Sequence, residues 1–201
     1  MTSPADKKPQ ETAEGSARRF ATVRSWETWL NKHHDSSDGL WLLISRQGAE
    51  KGSVSYPEAL EVALCHGWID GQKKSLDEQH WLQRFTPRRA RSIWSKVNRE
   101  KVAALIAQGR MQPAGQHEID RAKADGRWDQ AYDSPRSATV PPDLQAALDA
   151  APVAAAFFKT LNGTNRYAVL WRVQTAKRPE TRERRIATLV AMLARGEKLH
   201  P

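Results

Sequence analysis

Strand-like patterns occur in only three short segments of this chain. This feature restricts the fold more than any other, because so few strands can form only a small sheet. The continuous apolar run at residues 40–44 predicts a strand buried on both faces. Two further short strands are predicted at 68–73 and 80–86, and the polar connection between them predicts a hairpin. Helical patterns dominate the rest of the chain. We therefore predict an α+β protein in which a small sheet is packed by helices.

Capping residues mark where several of these helices begin. Ser25, Ser55 and Ser95 each precede apolar residues at helical spacing and are predicted N-caps. At Ser55 the pattern is a full capping box, because Glu58 follows three residues later. The helix that begins there is expected to end at Gly67, since glycine readily adopts the left-handed conformation that closes many helices.

The C-terminal part of the chain is predicted to be a helical module. Residues 133–142 combine serine and proline without apolar periodicity, which indicates an interdomain linker. Helices are predicted beyond it at about 142–150, 152–161, 165–176 and 180–195. The polar N-terminal residues predict a mobile tail. The predicted organisation is a disordered tail at 1–20, an α+β domain at 21–132, the linker at 133–142 and the helical module at 143–201.

Composition argues against several classes of protein. The single cysteine, Cys65, allows no intramolecular disulfide, and neither it nor the histidines show metal-site spacing, so we expect no metal. No phosphate-binding loop or dinucleotide fingerprint is present, and we expect no cofactor. No apolar run approaches the roughly 20 residues that cross a bilayer. Because the N-terminal residues also lack the apolar core of a secretory signal, a cytoplasmic protein is expected.

Positive charge is concentrated in two blocks of the chain, whose formal net charge is +9. Residues 66–101 contain 9 basic and 4 acidic side chains, and residues 159–201 contain 10 and 3. Such blocks attract nucleic acid, anionic lipid or phosphorylated ligands, although a solvated face that aids solubility explains them equally well. In the second block the basic residues surround a helix start at 176–186, which predicts weak, non-specific nucleic-acid binding or docking of an acidic protein partner.

The first basic block contains the strongest candidate for a ligand site. Its arginines shortly precede the helix predicted from Ser95, and both guanidinium groups and the free N–H groups of a helix start bind anions. Trp94 would supply an apolar wall. The alternative is that one arginine pairs with Asp70, the tryptophans pack inside and the other charges are solvated. The predicted ligand-binding residues are Asp70, Arg84, Arg88, Arg91, Trp94, Ser95 and Asn98.

Asp70 bears on whether this site binds or catalyses. It lies between Ile69 and Gly71 on a strand that otherwise looks buried, and buried carboxylates are usually paired or functional. A general base works best when its charged form is disfavoured, whereas neighbouring arginines favour the charged carboxylate. We therefore expect Asp70 to orient an arginine, and we assign no catalytic residue. A deep pocket around an Asp70 without an arginine partner would favour an enzyme instead.

Several motifs in this order resemble the YdeI/OmpD-associated family, also called bacteriocin-protection proteins. They are YPEAL (56–60), GWIDG (67–71), FTPRR (85–89), SIWS (92–95) with Asn98, GRW (126–128) and AKRPETR (176–182). The resemblance spans about residues 26–196, and the part from about 141 onward is similar to the family's helical C-terminal region. It implies an association with bacterial envelope stress, including resistance to bacteriocins or cationic peptides and contact with outer-membrane porins. It supplies no established catalytic residues.

These observations predict a non-enzymatic binding or stress-protection protein of the YdeI/OmpD-associated type, with a site for an anionic small molecule. The first alternative is an enzyme that acts on a phosphorylated or carboxylated metabolite, with Asp70 as the base. The second is a non-specific nucleic-acid binder that uses both basic blocks. The sequence leaves the two alternatives open.

Overall fold

The computed structural model describes residues 17–46 and 52–201 of the chain. Contacts divide the chain into two compact units. The first unit runs up to Ser92 and resumes over Glu100–Gly126, and the second comprises Ile93–Arg99 and Arg127–Pro201. Most of the tail predicted at 1–20 lies outside the described residues, and the linker at 133–142 stays a prediction.

Helices and a small sheet make up the described residues, which confirms the predicted α+β class. The strands are β1 (Ala17–Arg18), β2 (Leu40–Ser45), β3 (Trp68–Ser75) and β4 (His80–Pro87). The helices are α1 (Val23–His33), α2 (Tyr56–Cys65), α3 (Lys96–Ala107), α4 (Pro113–Ala124), α5 (Pro142–Asp149), α6 (Pro152–Thr160), α7 (Gly163–Gln174) and α8 (Pro179–Ala194). Within the described ranges, no helix has both the length and the apolar character needed to cross a membrane.

The described residues of the first unit contain a four-stranded mixed sheet in the order β1-β2-β4-β3. β1 pairs in parallel with β2, whereas β4 is antiparallel to both β2 and β3, which confirms the predicted hairpin. The register places Asp70 opposite Phe85, and it places Arg84 opposite Trp41 of β2. Directly paired residues share a face, and successive residues of a strand alternate between faces. Asp70 and Arg84 therefore lie on opposite faces of the sheet.

Helices α1 and α2 cover the face of the sheet that carries Phe85. Trp26 of α1 is fully buried, and its ring centroid lies 5.8 Å from that of Phe85 and 6.3 Å from that of Trp68. The Trp26 indole N–H donates to the Ala59 carbonyl of α2 at 3.1 Å. Because its polar atom is paired, this large ring can occupy the core without leaving a donor unsatisfied.

The capping predictions at Ser55 and Ser95 are confirmed. The Ser55 hydroxyl accepts from the Glu58 N–H at the start of α2, and the Glu58 carboxylate accepts in return from the Ser55 N–H at 3.0 Å. The Ser95 hydroxyl accepts from the Asn98 N–H at 3.1 Å at the start of α3. Gly67, where the second predicted helix was expected to end, has a φ of +74°.

Two predictions near the N-terminus are wrong. Thr22 rather than Ser25 caps α1: the Thr22 hydroxyl accepts from the Ser25 N–H at 3.1 Å, and Ser25 completes the capping box from inside the helix. Both residue types are good caps, so the local pattern did not separate them. The predicted tail includes Ala17 and Arg18, which form β1. Ala17 packs with Trp41 and Leu82, a tertiary contact that composition does not reveal.

The second unit has its own hydrophobic core, formed by α5 to α8. Ile186, Leu189 and Leu193 of α8 are buried in it and form one apolar stripe, as their spacing of three and four residues in the sequence indicates. The other buried members of the core are Leu144, Leu148, Ala154, Phe158, Val169, Leu170 and Val173.

Candidate functional site

The predicted ligand-binding residues are divided between the two units. The first unit holds Asp70, Arg84, Arg88 and Arg91, and the second holds Trp94, Ser95 and Asn98. Each group is therefore described within its own unit. Their joint role as ligand-binding residues stays a prediction.

Asp70 has a tyrosine as its partner. The Tyr56 hydroxyl of α2 donates to Asp70 Oδ2 at 2.8 Å. Asp70 is half-buried and lies beside Phe85, on the face of the sheet that the helices cover. A phenol O–H can satisfy a carboxylate oxygen without adding a second charge. Tyr56 belongs to the YPEAL motif, but the sequence did not indicate that its hydroxyl would bind Asp70.

Arg84 and Asp70 lie on opposite faces of the sheet, so Arg84 is not the arginine that Asp70 was expected to orient. Its guanidinium carbon lies 6.0 Å from the centroid of the Trp41 ring, on the other face of the sheet. The hairpin was predicted correctly, but its register was not known. The register decides which residues of the two strands lie on the same face of the sheet. Here the register pairs Asp70 with Phe85, one residue further along β4.

Arg88 and Arg91 differ in their surroundings. Arg88 is buried, with 6% of its surface exposed, and its backbone N–H donates to the Gly67 carbonyl at 2.9 Å. Arg91 is exposed. Of the two, only Arg91 presents its side chain to solvent as an anion-binding arginine would, whereas the Arg88 side chain is buried.

Trp94 is a core residue of the second unit. It is 1% exposed, and its ring meets that of Trp128 in a T-shaped contact with centroids 5.1 Å apart. The Tyr132 N–H donates to the Trp94 carbonyl at 3.0 Å, and the Lys96 N–H donates to the Tyr132 carbonyl at 2.9 Å. A ring so enclosed does not form an open wall for a ligand, so the structure departs from that part of the prediction.

A polar cavity of about 520 Å³ opens on the second unit. We call it the polar cavity, and the residues that matter for its chemistry are Asp133, Thr139, Gln174, Thr175, Lys177 and Arg182. Cavities of a few hundred cubic ångströms are typical of small-molecule sites. The sequence did not predict it, because its wall combines residues from the loop before α5, the end of α7 and the start of α8.

Asp133 is held in the wall of the polar cavity by several hydrogen bonds. Its Oδ1 lies 2.6 Å from Lys96 Nζ, and its Oδ2 accepts from Gln174 Nε2 at 2.8 Å. The Asp133 N–H donates to Gln174 Oε1 at 3.2 Å, and the Tyr167 hydroxyl donates to the Asp133 carbonyl at 2.8 Å. Burial raises the pKa of Tyr167 to about 12, so this phenol stays protonated at neutral pH. Both carboxylate oxygens of Asp133 are engaged, which makes it a structural group.

Two arginines of α8 close the C-terminal end of α7. Arg182 Nη1 donates to the Val173 carbonyl at 2.8 Å, and Arg185 Nη1 donates to the Arg172 carbonyl at 2.7 Å. The last carbonyls of a helix lack partners within the helix, and cations at that end also interact favourably with its dipole. Arg182 pairs as well with Asp143, and its hydrogen bonds lower the pKa of that carboxyl. Part of the second basic block is therefore structural.

A second cavity, of about 730 Å³, lies along one side of α7. We call it the aromatic cavity, because Tyr132, Tyr167 and Trp171 line it together with Arg172 and His200. The tyrosine and tryptophan of α7 stand four residues apart, a spacing that could have indicated a shared face. Among the residues that the structure describes, no group of three His, Cys, Asp or Glu side chains is arranged to hold a metal ion.

The protein therefore consists of an α+β unit and a mainly helical unit, and the helical unit contains both cavities. Residues 18–118, half of the chain, match the family model described as "Domain of unknown function (DUF8412)", and residues 137–196 match the model "Bacteriocin-protection, YdeI or OmpD-Associated". The chain thus belongs to the DUF8412 family. Residues 137–196 match the YdeI/OmpD-associated model, which confirms the predicted resemblance over that part of the chain. Searches of curated proteins and of solved structures returned no match.

Proposed function

We propose that this chain is a non-enzymatic binding or stress-protection protein of the YdeI/OmpD-associated type, and that it holds a small anion in the polar cavity. One observation carries the proposal. Ala176, Lys177 and Arg182 of the AKRPETR motif line that cavity, inside the region that matches the YdeI/OmpD-associated model. A motif of the resemblance to the YdeI/OmpD-associated family thus also borders a space large enough for a ligand.

Charge around the polar cavity favours an anion. Asp133 is neutralised by Lys96, and Arg182 is neutralised by Asp143. Lys177 is exposed and forms no ion pair within the described part of the chain. Its ammonium group supplies the uncompensated positive charge, and the Thr139 hydroxyl adds a donor nearby. A single lysine at a partly open site implies modest affinity that falls with ionic strength.

The same geometry supports binding without catalysis. A general base must be able to orient toward the substrate, whereas Lys96 and Gln174 each hold one oxygen of the Asp133 carboxylate in the cavity wall. Asp70, the base of the enzymatic alternative, accepts from Tyr56 and lines neither of the two cavities described above. The cytoplasmic location stays a prediction.

Titration with inorganic pyrophosphate tests the anion site. We expect Lys177→Ala to weaken binding by about fivefold or more at low ionic strength, since the loss of one close charge pair corresponds to roughly 1 kcal/mol. Lys159→Ala is the matched control: it removes the same charge from an exposed position on α6 that lines neither cavity. Isothermal titration calorimetry measures both variants. Equal binding by the two variants, or salt-independent binding, would contradict the proposal.

A further inference from the structure

We propose that the aromatic cavity is a second binding site, which takes small carboxylic acids with an aromatic body. The site is separate from the proposed anion site, because its wall is built from α7, the Pro135 turn and the C-terminal segment. Among the described residues, Tyr132 is the one that lines both cavities. The two proposals rely on different cations, Lys177 and Arg172, and can therefore fail independently.

The shape of the aromatic cavity follows from one face of α7. Thr164, Tyr167, Ala168 and Trp171 line it at positions i, i+3, i+4 and i+7, which lie on one side of a helix. Seven residues of helix span about 10 Å, so the cavity has the length of a ligand with one or two rings. Gly163 at the start of the helix leaves that end open, since no atom of the described residues outside its chain neighbours and its own helix backbone lies within 4 Å of the position a Cβ would take.

Aromatic side chains give this cavity its preference for a flat ligand. The Tyr132 and Trp171 ring centroids are 6.3 Å apart and the rings are inclined at 83°. Trp171 is 37% exposed, an uncommon degree of exposure for a tryptophan in a packed helical unit. A ligand ring that contacts both the Tyr132 ring and the Trp171 ring meets one of them edge-on and the other face-on. It gains aromatic contact energy and also covers the exposed Trp171 indole.

Charge selects an acid over a neutral or cationic aromatic compound. Among the described residues, the cavity lining includes Arg172 and His200 but no Asp or Glu. Arg172 Nη1 is buried, and no acceptor within the described ranges reaches it. A guanidinium N–H without an acceptor is costly, and a ligand carboxylate that accepts from it after a small rotation of the side chain would offset that cost. The same positive charge disfavours a quaternary ammonium group, which aromatic walls alone would attract.

Binding of 2-naphthoate to the full chain tests this inference. We expect saturable binding of 2-naphthoate and much weaker binding of acetate, 2-naphthamide and benzyltrimethylammonium, all measured by isothermal titration calorimetry. Arg172→Gln removes the charge but keeps a polar N–H donor, and it should weaken 2-naphthoate binding by about tenfold, the usual effect of a charged hydrogen bond. Arg184→Gln, an exposed position on α8 that lines neither cavity, is the matched control and should change binding less than twofold.

A second variant guards against a change in folding. Ala168→Phe places a ring in the cavity and should abolish 2-naphthoate binding, while circular dichroism and pyrophosphate binding remain as in the parent chain. No binding of 2-naphthoate by the parent chain, equal binding of acetate, preference for the ammonium compound, or unchanged binding in both Arg172→Gln and Ala168→Phe would each overturn the inference. Loss of pyrophosphate binding in Lys177→Ala with retained 2-naphthoate binding would show that the two sites are distinct.

Discussion

Buried polar residues decide the local chemistry of this protein at the scale of single side chains. Gln83 is buried, and its amide Nε2 donates to the carbonyls of Gly71 and Gln72 at 3.0 and 3.1 Å, where the register of β3 against β4 shifts. The Gln83 side chain thus satisfies carbonyls that the bulge removes from the hydrogen-bond ladder of the sheet.

Burial also decides the reactivity of Cys65. It raises the pKa of the Cys65 thiol to about 11, so the thiol is not a reactive thiolate.

His66 makes stability depend on pH. It is 3% exposed, its Nδ1 lies 2.9 Å from the Val62 carbonyl, and burial lowers its pKa below the ordinary value of 6.5. The unfolded chain therefore takes up a proton near pH 6.5 that the folded chain does not, and the free energy of unfolding should fall as the pH drops below that value. Urea unfolding at neutral and mildly acidic pH measures the loss.

The control for this effect is a histidine at the surface. His66→Gln should lower stability at both pH values, but it should reduce the difference between them. His117→Gln, at an exposed position on α4, should leave that difference as it is in the parent chain. A pH dependence that survives unchanged in His66→Gln would assign it to other groups.

At the scale of elements, side chains outside an element often complete it. β3 is an edge strand, and its exposed end carries Lys73 and Lys74, whose ammonium groups lie 4.1 Å and 4.9 Å from the ring centroids of Trp81 and Trp41. Lysines at an edge oppose pairing with a second sheet, and their stems cover the aromatic rings. A helix is completed in a similar way where Arg185 of α8 donates to the Arg172 carbonyl at the C-terminal end of α7.

β1 should contribute to stability although it has only two residues. Deleting residues 1–20 removes its pairing with β2 and also removes Phe20, whose ring lies 5.1 Å from that of Trp26 and whose carbonyl accepts from the Val54 N–H at 2.7 Å. We expect a loss of about 2–3 kcal/mol, which lowers the thermal midpoint by roughly 5–10 °C in a chain of this size. Differential scanning calorimetry measures it.

A shorter deletion separates β1 from the residues before it. Removing residues 1–16 leaves Ala17 and Phe20 in place. Because residues 1–16 are polar, we expect this deletion to change the thermal midpoint by less than about 2 °C. If the two deletions lower the midpoint equally, the contribution assigned to β1 and Phe20 is wrong. If neither has an effect, the pairing of β1 with β2 does not stabilise the chain.

At the scale of the whole molecule, the distribution of charge matters more than its sum. The formal charge is +9, but Arg182 and Arg185 bind the end of α7, and Arg182 is also paired with Asp143. Lys177, Arg178 and Arg184 remain exposed in the second basic block. Fewer basic side chains are therefore available to phosphate groups than the sequence alone suggests.

Duplex DNA should bind weakly and without sequence preference. We expect a Kd on the order of 10⁻⁵ M at physiological salt, with a steep loss of affinity as salt rises, because only counterion release drives the interaction. Fluorescence anisotropy with two unrelated duplexes measures it, and the Arg178→Ala/Arg184→Ala double variant should lower both affinities alike. Tight, salt-tolerant binding to one duplex would raise nucleic-acid recognition above the binding function proposed here.

The sequence by itself determined those features that depend on local patterns. The Ser55 capping box, the hairpin of β3 and β4 and the apolar stripe of α8 involve residues at fixed short spacing, so the chemistry of neighbours is sufficient to predict them. The α+β class followed from the same patterns. The choice between Thr22 and Ser25 as the cap of α1 did not, because both satisfy the local rule.

Only the tertiary structure decided which side chains meet. Asp70 received Tyr56 as its partner and was separated from Arg84 because the register of the sheet sets the face of every residue, and a shift of one residue reverses it. The two cavities likewise arise where segments far apart in sequence come together, as Asp133 and Gln174 do. Such distances depend on the packing of whole helices, and no pattern of neighbouring residues encodes them.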